Sequence, residues 1–362
     1  MSSAELNPLK GRGDSFTEWE VFKDLLDDQG RPRLKYARNY FSTLHQEDLS
    51  VLSDAFKFWR DYDEALLLYG QNRVNGKEMW LGVKCSKRGN DIFTERLDRK
   101  MGFLRAFEGI TMFSLEDFDL DKINKGVNDV SMPSNLLWVT LTFDPSTCSL
   151  DEAWERSGSM WNLYITNLRN KYGKIQVLKF PEAFPDSGRS ASGYPHNHAI
   201  LLFEDHDFQA FPHWEKGRDE KWGWVYRVRE KNEIKAQGKW KAHNDIKAIH
   251  SGKALGGYLR KHCKNTHCGD DPAALTTQSV LWLKKKKTFS MSSDFQKKFS
   301  DLIVDMRNSK VEAQVTLDGE VLDDWIWSAH GVRSCFDIGM DPGVWIHSLD
   351  EEKFHRLIDS GG

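Results

Sequence analysis

The chain has 362 residues, 39% hydrophobic and 29% charged, with a formal charge of -3 and a mean hydropathy of -0.61. This composition excludes a fibrous or intrinsically disordered chain, and the length predicts two domains, or one large domain with appendages. No stretch reaches the roughly 18 uncharged apolar residues of a membrane span, and Met1-Ser2-Ser3-Ala4 opens neither a signal segment nor a myristoylation site. A soluble, cytoplasmic protein with no membrane partner is expected.

The first 130 residues read as mainly helical, because residues 56–68 and 92–107 mix apolar and charged positions at helical spacing. Residues 116–131, acidic and then rich in Gly, Asn and Ser, read as a linker. Residues 136–143 are rich in β-formers and closed by Asp144-Pro145, and a period of two sets Trp138, Thr140 and Thr142 on one face. Residues 150–172 predict a helix whose apolar stripe draws on Trp154, Trp161, Leu163, Ile165 and Leu168. Strands follow at 174–180 and 193–203, separated by a Pro/Ser/Gly loop at 181–192. Strand, helix, strand, strand predicts an α+β fold, a split βαβ layer with a helix on one face of an antiparallel sheet.

Residues 204–243, polar and Trp-rich, read as an insertion before a short strand at 245–249 and a helix at 253–264. The last 50 residues carry Trp325, Trp327 and Trp345 and are expected to pack on the body. The expected divisions are therefore a helical extension over 1–130, a central domain over 131–305 and a C-terminal extension over 306–362. Residues 227–298 hold 17 Lys and Arg against 6 Asp and Glu, a local balance of +11. With aromatic residues interspersed, the block suits a nucleic-acid backbone with stacking platforms, or else a solvated helical face.

Five scattered cysteines (Cys85, Cys148, Cys263, Cys268, Cys335) lack paired CxxC spacing and read as reduced thiols. Cys263 and Cys268, with His262 and His267, are the one cluster with zinc chemistry, but no second pair of ligands closes a tetrahedron.

In Tyr194-Pro195-His196-Asn197-His198 the two imidazoles stand at i and i+2 of a strand and project from one face. That spacing serves a divalent cation or a structural histidine pair. In Tyr258-Leu259-Arg260-Lys261 a helix sets the phenol and the ammonium on one face. A cation beside a phenol favours the phenolate, the form that attacks phosphorus; the plainer reading is a half-buried tyrosine on an amphipathic helix.

Taken in order, Trp138-Val139-Thr140-Leu141-Thr142-Phe143, Pro195-His196-Asn197-His198 and Gly257-Tyr258-Leu259-Arg260-Lys261 resemble the three motifs of the HUH endonuclease superfamily. More narrowly, the chain is similar to single-tyrosine rolling-circle replication initiators (Rep) of plasmids and viruses. Residues 280–293 are similar to the segment that follows the tyrosine helix in Rep proteins of archaeal replicons. The resemblance covers about residues 134–295. It implies an HUH core with an RRM-like split βαβ sheet. The implied activity is site-specific nicking and joining of single-stranded origin DNA in DNA replication.

By that resemblance His196 and His198 bind Mg2+ or Mn2+, Tyr258 attacks the scissile phosphate to leave a covalent 5′-phosphotyrosyl enzyme and a free 3′-OH, and Lys261 neutralises developing charge. The third metal ligand is expected to be Glu182, with Asp186 and Glu204 as alternatives; the family acid more often stands where this chain has Lys179. Some relatives carry a second tyrosine one helical turn on, where this chain has His262. Ending a replication round then requires a second subunit, hence a homodimer, or an activated water. Ser251-Gly252-Lys253-Ala254 does not complete a phosphate-binding GxxxxGK[ST] loop, so a separate helicase is implied, alongside a host polymerase. The helices around Cys85-Ser86-Lys87-Arg88-Gly89-Asn90 are expected as an origin-recognition module or a structural extension, and Lys284 to Lys287 as a track for single-stranded DNA.

Relaxases of the superfamily place the tyrosine ahead of the histidines, and its single-tyrosine transposases are much shorter than this chain. A metal-dependent hydrolase of the HxHxDH type fails at Ile200-Leu201, and the helical first third leaves too little room for the eight βα units of an amidohydrolase. A non-catalytic single-stranded nucleic-acid-binding protein is the alternative from another class.

Overall fold

The computed structural model describes residues 33–107, 109–124, 130–184, 192–216, 222–238, 244–252, 266–301, 316–317, 320–321 and 324–359. In chain order the first elements are α1 (Leu34–Tyr40), α2 (Leu49–Asp61), β1 (Glu64–Asn72), β2 (Glu78–Lys84), α3 (Asp91–Lys100) and α4 (Leu120–Asn124). Next come β3 (Met132–Ser134), β4 (Leu136–Thr142), α5 (Leu150–Tyr172), β5 (Ile175–Ala183), β6 (Pro195–Phe203), β7 (Phe208–Lys216), β8 (Trp222–Val228), α6 (Lys231–Ala236) and β9 (Asn244–Ala248). The chain continues with α7 (Pro272–Leu283), β10 (Ser290–Met291), α8 (Phe295–Asp301), β11 (Thr316–Leu317), β12 (Glu320–Val321), β13 (Trp325–Ser334), β14 (Ile346–Leu349) and α9 (Glu351–Asp359). It is a mixed α+β fold with antiparallel sheets. Among the described residues no helix is long and apolar enough to cross a membrane.

The chain divides into two units: residues 1–56 with 98–306, and residues 57–97 with 307–362. The smaller unit is a four-stranded antiparallel sheet, β13-β1-β2-β14. Its core gathers Ala65 and Leu67 from β1, Ile338 and Met340 from the segment after β13, and Phe354 from α9. The helix expected over residues 56–68 therefore stops at Asp61, and a strand begins at Glu64. Ala-Leu-Leu-Leu has ample helix propensity, but pairing on both edges of β1 overrides it. Gly70 lies opposite Trp327, where a Cβ would come within 2.5 Å of the indole ring. The two extensions expected as separate pieces thus share one sheet.

Lys87 is not a surface residue for DNA. Its Nζ lies 2.8 Å from the Glu64 carboxylate, with side-chain exposures of 6% and 5%. The ammonium donates to the Trp59 carbonyl at 3.0 Å and to the Tyr62 carbonyl, capping the C-terminal end of α2 where helix carbonyls lack partners.

The larger unit is built on a five-stranded sheet in the order β10-β5-β6-β4-β9. Both β4 and β5 run antiparallel to β6, so they run parallel to each other and α5 makes the crossover. α5 begins at a capping box, in which Ser149 Oγ accepts from the Glu152 amide and the Glu152 carboxylate accepts from the Ser149 amide at 3.0 Å. It ends at Gly173, whose φ of 83° and close approach to Asp205 suit only glycine. Its buried face carries Trp154, Trp161, Tyr164, Ile165 and Leu168. Leu163, expected in that stripe, is 42% exposed, and Tyr164 takes its place. Residues 204–243 insert a hairpin, β7–β8, which with β3 forms a second sheet.

Loss of one partner of the Lys87–Glu64 pair leaves a buried charge, so Lys87→Met is expected to cost about 3–5 kcal/mol in urea unfolding. Adding Glu64→Gln is expected to recover part of that loss. A double variant no better than the single one would show that the pair is not coupled.

Candidate active site

All nine residues of β6 are buried. Alternation sends Ala199, Leu201 and Phe203 to the α5 side, where Phe203 meets Tyr172, and His196 and His198 to the other. The two imidazole centroids lie 4.5 Å apart, nearly perpendicular. Register places His196 opposite Thr142 and His198 opposite Thr140 on β4. Thr142 Oγ1 lies 2.7 Å from His196 Nδ1 and Thr140 Oγ1 lies 3.0 Å from His198 Nδ1. Trp138 Nε1 donates to Thr140 Oγ1 at 3.1 Å, and its ring packs against His198 at 5.2 Å. The face assigned to Trp138, Thr140 and Thr142 is thus the one that fixes both rings. With each Nδ1 engaged by a hydroxyl, ring orientation is set and the metal-binding role falls to Nε2.

Glu182 lies inside β5, which continues through Pro181 to Ala183 instead of stopping at residue 180. It faces His196 across the strand pair, and its Oε2 is 3.7 Å from His198 Nε2. All three side chains are buried, and His196 Nε2 and Glu182 Oε1 are shielded from solvent. Glu204 is at the far end of β6, six residues from His198 or about 20 Å along the strand, and binds Gln176 and Lys298. That distance rules it out as the third ligand. Asp186 lies outside the described residues.

Among the described residues no group of three or more His, Cys, Asp or Glu is set in metal-holding geometry. His196, His198 and Glu182 are neighbours instead of a closed ligand set. Their chemistry nonetheless fits a divalent ion: two imidazole nitrogens and a carboxylate oxygen form a mixed set. The 3.7 Å separation is close to the roughly 3 Å expected between adjacent donors on one small ion.

Next to this row, Asp245 of β9 stands opposite Thr140. Arg227 on β8 binds both Asp245 and Glu215, and Lys247 reaches the same two carboxylates at 3.1 and 3.4 Å. Burial alone would raise the Asp245 carboxyl, but Lys247 and Arg227 outweigh it and hold the group below its ordinary range. These four side chains bind the β7–β8 hairpin to β9, the edge strand of the five-stranded sheet. Sequence reasoning left the four residues unassigned, since the partners are up to 32 positions apart.

Tyr258 and Lys261 lie outside the described residues, as do His262 and Cys263 of the cluster with zinc chemistry. Lys284, expected on a DNA track, has a side-chain exposure of 10% and binds Asp151 and Glu155 at 2.6 and 3.1 Å. Those acids belong to the first turns of α5, so Lys284 ties the segment after α7 to that helix.

Lys179 is on the α5 face of β5, away from the histidines, with Nζ 4.9 Å from the Trp161 ring centroid. Burial, with Lys286 adding like charge, pushes its ammonium down to about 8 from an ordinary 10.5. The charged form therefore costs stability in full below pH 8, and the cost fades as pH rises towards 10.5. Lys179→Met is expected to raise the urea midpoint at pH 7, with the gain shrinking over that range. The same gain at both ends would exclude an electrostatic cause.

Comparison of the chain with family models, with curated proteins and with solved structures returned no match.

Proposed function

We propose that the chain is an HUH endonuclease, a single-tyrosine replication initiator that nicks and rejoins single-stranded origin DNA. The observation that carries this reading is the pair His196 and His198 side by side on a buried central strand. Each ring is held by a threonine of the first motif strand, with Glu182 across on the next strand. The strand order supports it: β5-β6-β4-β9, with α5 between β4 and β5, is compatible with the split βαβ sheet that the resemblance implies.

His196, His198 and Glu182 would hold the metal, which when bound supplies Lewis-acid polarisation of the scissile phosphate. Two imidazoles beside one carboxylate suit Mn2+ better than the all-oxygen preference of Mg2+. Thr140 and Thr142 keep both rings from rotating. Tyr258 is the nucleophile: its oxygen bonds to phosphorus, the bond from phosphorus to the 3′-oxygen breaks, and that oxygen leaves as a 3′-OH. Lys261 favours the phenolate before attack. The number of phosphodiester-type bonds is unchanged, so joining is the same step reversed and requires no nucleotide. Strand separation and extension fall to a helicase and a polymerase. With one tyrosine, termination falls to a second copy of the chain or to an activated water.

The test is an SDS-resistant protein–DNA adduct formed with single-stranded DNA and Mn2+. It is expected in the wild type and absent in Tyr258→Phe and in His196→Ala. An adduct that survives Tyr258→Phe would move the nucleophile elsewhere, and no adduct on any strand of the replicon would favour the non-catalytic binding protein. Thr142→Val is expected to weaken Mn2+ binding about 10–100-fold, with Thr142→Ser restoring it; equal Mn2+ affinity in the valine variant would remove the threonine from the site.

A further inference from the structure

The β7–β8 hairpin presents an aromatic surface that neither the fold nor the nicking reaction explains. Register pairs Trp214 with Trp224 and Lys216 with Trp222, so all four side chains share one face of the ribbon. Trp214 is 49% exposed and Trp222 is 59% exposed. The Trp214 and Trp224 rings touch edge to face, with centroids 5.1 Å apart. Further along the same face the pattern turns inward. Tyr226 is buried against Phe113, Phe118 and His250, which anchors the ribbon and leaves its outer part open.

Two features select the ligand. Trp222 and Trp224 are two residues apart on one strand, so their attachment points are about 7 Å apart, twice the 3.4 Å repeat of stacked bases. A flat aromatic ring entering between them would have an indole on each side. On the opposite face, Glu215 and neighbouring Asp245 are neutralised by Arg227 and Lys247, so these two carboxylates do little to repel a polyanion.

We infer that Trp214, Trp222 and Trp224 form a base-stacking platform for single-stranded DNA flanking the nick site. The inference rests on the nicking proposal in taking that strand as substrate, and adds where its bases are gripped. Arg227 and Asp245 bind the ribbon to β9, which lies two strands, or about 10 Å, from His198. Stacking is tolerant of sequence because every base has a π face, so the platform supplies affinity and leaves choice of origin to other contacts.

The wild-type protein, without metal, is titrated by fluorescence anisotropy with labelled oligo-dT and with an abasic strand of equal length. Both carry the same phosphates, and only one has bases. The abasic strand is expected to bind ~10-fold more weakly or worse, and oligo-dT is expected to quench tryptophan fluorescence. Trp214→Ala/Trp222→Ala is expected to raise the Kd for oligo-dT ~10–100-fold. Trp214→Phe/Trp222→Phe is expected to keep most of the affinity. Equal binding of the two strands by the wild type overturns the platform. So does an alanine pair that binds oligo-dT normally, or one whose sole defect in sedimentation is lost self-association. Because the anisotropy arms need no metal, loss of the nicking proposal through His196→Ala or Tyr258→Phe reads separately from loss of the platform.

Discussion

Strand β6 must be buried along its whole length and yet carry two imidazoles, and the larger unit is arranged around that conflict. Burying a polar ring without a partner costs on the order of 1–3 kcal/mol. The sheet meets this by placing a threonine opposite each histidine, at hydrogen-bond distance from Nδ1. Register does the work: a one-residue slip of β4 would turn Thr140 and Thr142 to the α5 side and present Leu141 to the rings. Apolar residues on the other face of β4 and β6 pack under α5 and make that slip costly. Core packing on one face therefore sets ring orientation on the other.

Much of this arrangement was legible in the sequence because its signals are local. The alternation of residues 136–142 and the HxH spacing are visible within a few positions, and α5 begins and ends at residues 150 and 172 as expected. Glu182 was harder to place because Pro181 reads as a strand end. Among the described residues β10 pairs with β5 at Leu178 and Lys179, and no described strand lies at the outer edge of β5 beside Pro181 to receive an amide proton. The strand passes through the proline, and Glu182 comes to face His196. The smaller unit was not legible, since β1 pairs with β13 some 260 residues away. No local pattern reports such a partner, and leucine-rich β1 alone favours a helix.

The hairpin inserted between β6 and β9 is legible only in part. Its tryptophans alternate properly, but the stretch is too polar to read as a core strand because one face of the ribbon is open. The charged groups that hold it come from β7, β8 and β9, and their mutual neutralisation appears only when the three strands are brought together.

Charge counting alone would put the nucleic-acid surface on the lysines. Lys284, first of the four-lysine run, is bound to Asp151 and Glu155, and Lys87 of the basic turn at 87–88 is buried on Glu64. An ammonium already paired with a carboxylate must give up that partner before it can bind a phosphate, so these two contribute little to attraction. The half-exposed indoles of Trp214 and Trp222 require no such exchange, because their open faces give up only water to accept a base. A local excess of +11 would attract a polyanion at long range, and under the proposed platform the short-range grip would fall to rings that give up no carboxylate partner. On this chain the rings of Trp214 and Trp222 meet that condition better than Lys284 or Lys87.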